Sequence, residues 1–167
     1  MEEDDGFDTY IEEALARRAK VSGPQSAYPH VLQQVDAGTW EGAGTDLSSG
    51  NLRIQGRSVM ESWQQKYQER FAEVVTMRGG RVLEIGFGMG LSANAIQSHS
   101  IEEHVIIEPN EEVYQRLLEF AETAPHKVIP IKGRWQDVVP QLEDESFDGI
   151  FFDGSPFDDR ELHYRQF

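Results

Sequence analysis

The chain has no cysteine among its 167 residues, so it can form neither a disulfide nor a thiolate metal site. Basic charge is scarce: 15 Lys and Arg stand against 30 Asp and Glu, a net charge of −15. A nucleic-acid binder presents a basic face, so no DNA or RNA partner is expected. No apolar run approaches the roughly 20 residues of a membrane-spanning helix, and no membrane partner is expected. The acidic start, Met1-Glu2-Glu3-Asp4-Asp5, is neither a secretory nor a mitochondrial leader, which points to a cytoplasmic location. The histidines (His30, His99, His104, His126, His163) show no paired ligand spacing, and Asp153, Asp158 and Asp159 lack the regular spacing of a calcium loop. No metal is expected. Without a Gly-x-Ser-x-Gly elbow, acyl transfer has no support. The acidity suits a cationic ligand through long-range attraction; it serves solubility equally well.

What the chain does have is the stretch Arg81-Val82-Leu83-Glu84-Ile85-Gly86-Phe87-Gly88-Met89-Gly90. Val82, Leu83 and Ile85 follow a Gly79-Gly80 break and read as a short buried strand. Glycines at every second position then open a helix over Leu91–Gln97. Glycine turns tightly and lets a ligand approach the backbone, and a helix start offers free N–H groups. A dinucleotide fingerprint requires G-x-G-x-x-G; Leu91 stands where its third glycine would be. The pattern Glu84-x-Gly86-x-Gly88-x-Gly90 instead looks like the first motif of class I S-adenosylmethionine (SAM)-dependent methyltransferases. An ordinary tight strand–helix turn has the same glycines.

Residues 1–50 read as an extended, partly flexible lead-in, with a short amphipathic helix within Tyr10–Lys20 and Trp40 as a docking anchor. The main domain is expected over 51–167. Ser58-x-x-Glu61 fits a capping box that opens a helix to about Thr76, with Val59, Trp63, Tyr67, Phe71 and Val74 or Val75 on one apolar face. Further strands are expected at His104–Ile107, Lys127–Ile131 and Phe147–Phe152. Asn110 is placed to cap a helix whose first turn holds Glu111 and Glu112; Val113, Leu117 and Phe120 would face the sheet. A short helix follows over Trp135–Gln141. Strands alternating with helices predict an α/β, Rossmann-like, doubly wound and mainly parallel sheet that stops after its fourth strand. Ligands of such sheets bind at the carboxyl ends of the strands, where Gly86–Gly90, Glu108, Lys132–Trp135 and Asp153 fall.

Glu108 follows the glycine loop by about 20 residues, the spacing of an acid that hydrogen-bonds ribose hydroxyls. Trp135 can stack on an adenine or simply pack. Asp153 ends an apolar strand, where a carboxylate can bind a cationic amine or guanidine and take its proton, or cap a turn. Glu61 is explained by the capping box alone.

A closer resemblance rests on six segments. They are Leu52-Arg53-Ile54-x-Gly56, Val59-Met60-Glu61-x-Trp63, Gly79 to Met89, Glu103-His104-x-Ile106-Ile107-Glu108, His126-Lys127-Val128-Ile129-Pro130 and Phe147-Asp148-Gly149-Ile150. Together, over about Asp46 to Phe167, they resemble guanidinoacetate N-methyltransferase. The resemblance implies SAM as cofactor and a small guanidino substrate, guanidinoacetate-like or arginine-like, methylated once on nitrogen. It implies that Glu84 and the loop Gly86, Phe87, Gly88, Met89, Gly90 and Leu91 serve the methionine part of SAM. Glu108 and Asn110 would serve the ribose, Arg134 and Trp135 the adenine side, and Met60 and Asp153 would also border the cofactor. It makes Glu61 and Asp153 the acids that grip the guanidinium.

Two features depart from that family. Gly154-Ser155-Pro156-Phe157 stands where a Thr-Tyr-Pro type continuation is usual, and the chain stops before the family's last helix and strands. The expectation is a fragment of a longer protein, or a homodimer in which a second copy covers the open strand edge. Two alternatives to the small-molecule enzyme follow from the same residues: a protein arginine methyltransferase, and a catalytically silent SAM-binding module.

Overall fold

The computed structural model describes residues 39–153. The helix expected within Tyr10–Lys20 and the turn after Asp153 lie outside the described residues.

The described chain begins with a small antiparallel sheet: β1 (Thr45–Asp46), β2 (Asn51–Ile54) and β3 (Arg57–Glu61), in the order β1-β2-β3. Gln55 and Gly56 join β2 to β3 with φ of 52° and 73°. A two-residue hairpin loop with both φ positive matches the twist of its strands. Residues 39–50 fall within the expected lead-in, yet Trp40 and Ala43 are buried in the core formed with Leu52, Ile54 and Met60.

After β3 comes a 3-10 turn, Ser62–Gln64, and then α1 (Gln65–Val75). Here two expectations are corrected. Ser58 lies inside β3, and Glu61 itself is the cap: its side chain accepts from the Gln64 backbone while the Gln64 side chain accepts from the Glu61 backbone. The stripe expected to be buried is also displaced. Trp63, Tyr67 and Val74 are more than half exposed, whereas Gln68 and Ala72 are buried. Neighbouring helical residues point about 100° apart, so the true inner face lies one residue on from the apolar stripe.

The main sheet contains β4 (Arg81–Ile85), β5 (Glu103–Glu108), β6 (Lys127–Lys132) and β7 (Gly149–Phe152), all parallel in the order β6-β5-β4-β7. Between them run α2 (Leu91–Gln97), α3 (Glu111–Thr123) and the short α4 (Trp135–Val138). The expected doubly wound α/β architecture is thus present, with the fourth strand beginning at Gly149 rather than Phe147. Both faces of β4 are covered, which is why Val82, Leu83, Glu84 and Ile85 are all buried. Leu83, Ile85, Val105, Ile107 and Ile131 form one face with Val138 of α4. On the other face Val82 and Phe151 pack with Ala72 of α1 and Ile96 of α2, while Ile106 meets Val113 and Leu117 of α3.

Gly149 allows α1 to lie close on β7: a Cβ there would meet the Val75 carbonyl oxygen at 2.0 Å. Asp148 ties the strand start to β4, its Oδ2 accepting from Arg81 N at 2.8 Å. Among the described residues β7 is an edge strand; Ile150 and Phe152 on it, and Tyr67 and Val74 on α1, are exposed. The chain leaves β4 toward β5 and β6, then returns to β7 on the opposite side of β4. That reversal puts the switch point of the sheet at the carboxyl ends of β4 and β7.

Candidate active site

A narrow cavity lies at this switch point, lined among others by Trp40, Met60, Gly86, Gly88, Glu108, Trp135 and Asp153. It measures about 40 Å³ in this conformation. The small sheet forms its lid: Leu52, Ile54 and Val59 complete the apolar wall.

The loop after β4 is held open by geometry that only glycine tolerates well. Gly86, Gly88 and Gly90 have φ of 91°, 55° and 74°. A Cβ on Gly88 would stand 3.1 Å from Met60 Cε, and one on Gly90 would stand 2.9 Å from Phe87 Cζ. Gly90 caps α2 in the left-handed conformation. Phe87 is buried and packs on Phe120, with ring centroids 5.4 Å apart.

Glu108 ends β5 beside this loop. Its Oε2 accepts from Phe87 N and its Oε1 from Asn110 N, both at 2.9 Å. Burial pushes the carboxyl above its ordinary 4.5, while the backbone N–H groups of Phe87, Asn110 and Gly88 pull the other way. Asn110 caps α3, its side chain accepting from Val113 N at 3.1 Å. The amide nitrogen of the same side chain donates to Trp40 O at 2.7 Å and Ala43 O at 2.9 Å. One residue thus starts a helix and pins the segment that carries Trp40 over the cavity.

Asp153 ends β7 and borders the cavity from the opposite side. Its Oδ2 accepts from Gln68 Nε2 at 2.6 Å, and Oδ1 has no hydrogen-bond partner among the described residues. Trp135 meets Phe152 edge to face at 5.4 Å between centroids.

Of the residues singled out in the sequence, Met60, Gly86, Gly88, Glu108, Trp135 and Asp153 converge on the cavity. The others stand behind it or apart from it. Met89 and Leu91 pack against the core, and Arg134 Nε is paired with Glu41. Glu84 is fully buried with its carboxylate turned to Ser92 and His104 rather than to the cavity. Glu61 does not line the cavity; the Trp63 indole N–H and the Ser58 hydroxyl engage its carboxylate and hold it below the ordinary carboxylate range. Sequence reasoning missed Trp40 as a cavity wall, Gln68 as the partner of Asp153, and Ser92 and His104 as partners of Glu84. The Leu52-Arg53-Ile54 alternation ahead of Gln55-Gly56 was a readable hairpin signal. No local signal links Gln68 to an acid 85 residues away.

Comparison with known proteins supplies the lineage. The family model for guanidinoacetate N-methyltransferase matches residues 34–167. Protein arginine N-methyltransferase 2 of Aspergillus fumigatus is 27% identical over 174 residues, covering 91% of this chain and 41% of that protein. Its namesake from Yarrowia lipolytica is 28% identical over 120 residues, covering 68% of this chain and 25% of that protein. The chain therefore spans well under half the length of these relatives. Among solved structures, spermidine synthase from Thermotoga maritima superposes with a TM-score of 0.52 at 20% identity, covering 64% of this chain and 40% of that one. That likeness speaks for the fold alone. With a matched segment that takes in the whole described sheet and its cavity, this chain belongs to the guanidinoacetate N-methyltransferase family, and so to the methyltransferases.

Proposed function

We propose that this chain carries the SAM-binding and acid-bearing part of an enzyme that methylates a guanidino nitrogen, with a protein arginine side chain as acceptor. The observation that carries the reading is the convergence of Glu108, the Gly86–Gly88 backbone and Asp153 on one cavity at the sheet's switch point. The names of the relatives, protein arginine N-methyltransferase 2, support arginine as acceptor. A small guanidino acid is the second reading, favoured by the description of the matching family.

The residues fit the chemistry of the cofactor. A buried carboxylate at the end of β5 suits ribose hydroxyls, a Cβ-free loop admits close approach of a ligand, and Met60 and Trp135 give apolar walls for a purine. When bound, SAM supplies an electrophilic methyl group on a sulfonium. Glu108 would hold the ribose, Gly86 and Gly88 the methionine part, and Trp135 the adenine side. The cavity is about 40 Å³ here, less than a nucleoside fills, so its walls would open to admit one.

A guanidinium is a poor nucleophile, since it holds its proton to a pKa of roughly 12.5–13.8. Asp153 Oδ1 would accept an N–H of that group and take its proton as the nitrogen's lone pair forms the new N–C bond, while the methyl–sulfur bond would break and its electron pair would stay on sulfur, giving S-adenosylhomocysteine. Alignment of the nitrogen with the methyl group supplies much of the remaining acceleration.

The test is transfer of isotope-labelled methyl from SAM to an arginine-containing peptide, free arginine and guanidinoacetate, each assayed separately, with SAM binding measured on the same protein by calorimetry. Label in the peptide is expected. Label in guanidinoacetate or free arginine alone would establish the second reading, and label in none of them, with SAM bound, would overturn both.

A further inference from the structure

Gln68 lies on α1 with its side chain 1% exposed, while Tyr67, Phe71 and Val74 around it face outward. Its Nε2 donates to Asp153 Oδ2 at 2.6 Å, and its Oε1 is buried without a hydrogen-bond partner among the described residues. The amide orientation is fixed by its surroundings: the reverse assignment would press an amide oxygen against a carboxylate oxygen. A buried carbonyl left unpartnered weakens a fold, and a side chain of similar length without polar atoms would fill the same space without that loss. Local packing therefore gives no reason for an amide at this position. Its one polar partner among the described residues is the acid at the cavity.

We propose that Gln68 is a positioning residue for Asp153, locking the carboxylate in one orientation so that Oδ1 is held ready for the acceptor's guanidinium. This rests on the guanidino-transfer reading above and extends it to a residue that touches neither cofactor nor acceptor. A guanidinium presents its N–H donors in a rigid planar fork. An acceptor carboxylate that swings between rotamers meets that fork in only part of its time. Asp153 directly follows β7, an edge strand among the described residues, and is itself exposed, so the described side chains around it restrict it little. Gln68, anchored in the buried face of α1, provides the restraint. The hydrogen bond uses one carboxylate oxygen and leaves the other for the acceptor.

The experiment compares the full chain with Gln68→Met, which keeps the length and removes the donor, and with Gln68→Glu, which places a second carboxylate beside Asp153. Methyl transfer to the arginine peptide, SAM affinity by calorimetry and thermal midpoint are measured for each. In Gln68→Met, kcat/KM for the acceptor falls about 10- to 100-fold, as for a misplaced catalytic group. SAM affinity stays within about twofold, and the midpoint holds or rises as the unpartnered carbonyl disappears. In Gln68→Glu, the acid limb of the pH profile of kcat/KM moves to higher pH, because adjacent carboxylates resist ionising together. A purely structural role would lower the midpoint and leave that limb in place, and this would overturn the proposal, as would wild-type kcat/KM in Gln68→Met. If the unaltered chain binds SAM but labels no guanidino acceptor, the functional reading itself fails, visibly and before any variant is considered, and the positioning role falls with it.

Discussion

Glu84 Oε2 and His104 Nε2 stand 2.9 Å apart with neither side chain exposed to solvent. Ser92 donates to the other oxygen of Glu84, and Gln97 Nε2 lies 3.4 Å from His104 Nδ1. Gln97 Oε1 in turn accepts from His126 N at 2.8 Å. The chain of contacts joins β4, α2, β5 and the start of β6 directly beneath the glycine loop. Parallel register creates it: Val82 pairs with His104 and Glu84 with Ile106, so Glu84 and His104 share a face on neighbouring strands.

The two atoms are close but meet no hydrogen-bond geometry, so the contact is one of two buried polar groups set side by side. His104→Leu puts an apolar side chain beside the Glu84 carboxylate and is expected to cost about 1–3 kcal/mol. Chemical denaturation of His104→Leu, Glu84→Leu and the double variant checks this. The double variant should lose less than the two single losses combined, with a coupling of about 0.5–3 kcal/mol. Additive losses would mean that the two side chains do not act on one another.

Glu108 should make cofactor binding depend on pH. Burial raises its carboxyl above 4.5, so between 4.5 and the raised value the folded chain holds a proton that the unfolded chain does not. Across that window this group makes the fold less stable as pH rises. Ribose hydroxyls are best accepted by the ionised form, so SAM affinity should fall as pH drops through the raised value, and binding there should release a proton. Calorimetry in buffers of differing ionisation enthalpy reads the released proton directly. Glu108→Gln, which cannot titrate there, should lose both the proton release and the pH dependence; their persistence in that variant would remove Glu108 from the ribose site.

Asn110→Asp separates the two roles of that residue. Asparagine and aspartate cap helices about equally well, so a role confined to the cap predicts almost no loss. The structure predicts otherwise, because the amide nitrogen also donates to the carbonyl oxygens of Trp40 and Ala43. Exchanging that donor for an oxygen removes its hydrogen bonds to both carbonyls and sets a buried charge against them. A loss of at least about 2 kcal/mol is expected in denaturant unfolding, together with greater exposure of Trp40 to a fluorescence quencher. Wild-type stability in Asn110→Asp would show that the Asn110 amide donor does not help to hold the Trp40 segment.

Much of the architecture could be read from local signals. The β4–glycine loop–α2 unit, the Asn110 cap with Glu111 and Glu112 behind it, and the apolar positions Val113 and Leu117 each depend on neighbours within a few residues, and each formed as read. The helix after β3 was read with the wrong cap and the wrong inner face. Its apolar stripe is real, but the side of α1 that is buried is set by where β7 and α2 lie, and neither is near in sequence.

The sequence by itself determined the order of strands and helices from β4 to β7, the loop conformation that three glycines permit, and the acids at the carboxyl ends of β5 and β7. Such features follow from backbone preference and from the period of apolar residues, which act over one or two turns. Tertiary structure alone decided which acid does what. It turned Glu84 inward to His104 and kept Glu61 at a helix cap beside Ser58 and Trp63. It set Glu108 in a cradle of backbone N–H groups, and it brought Gln68 across 85 residues to Asp153. A carboxylate's role depends on the donors and the burial that surround it, and those are supplied by segments that meet only when the sheet is assembled.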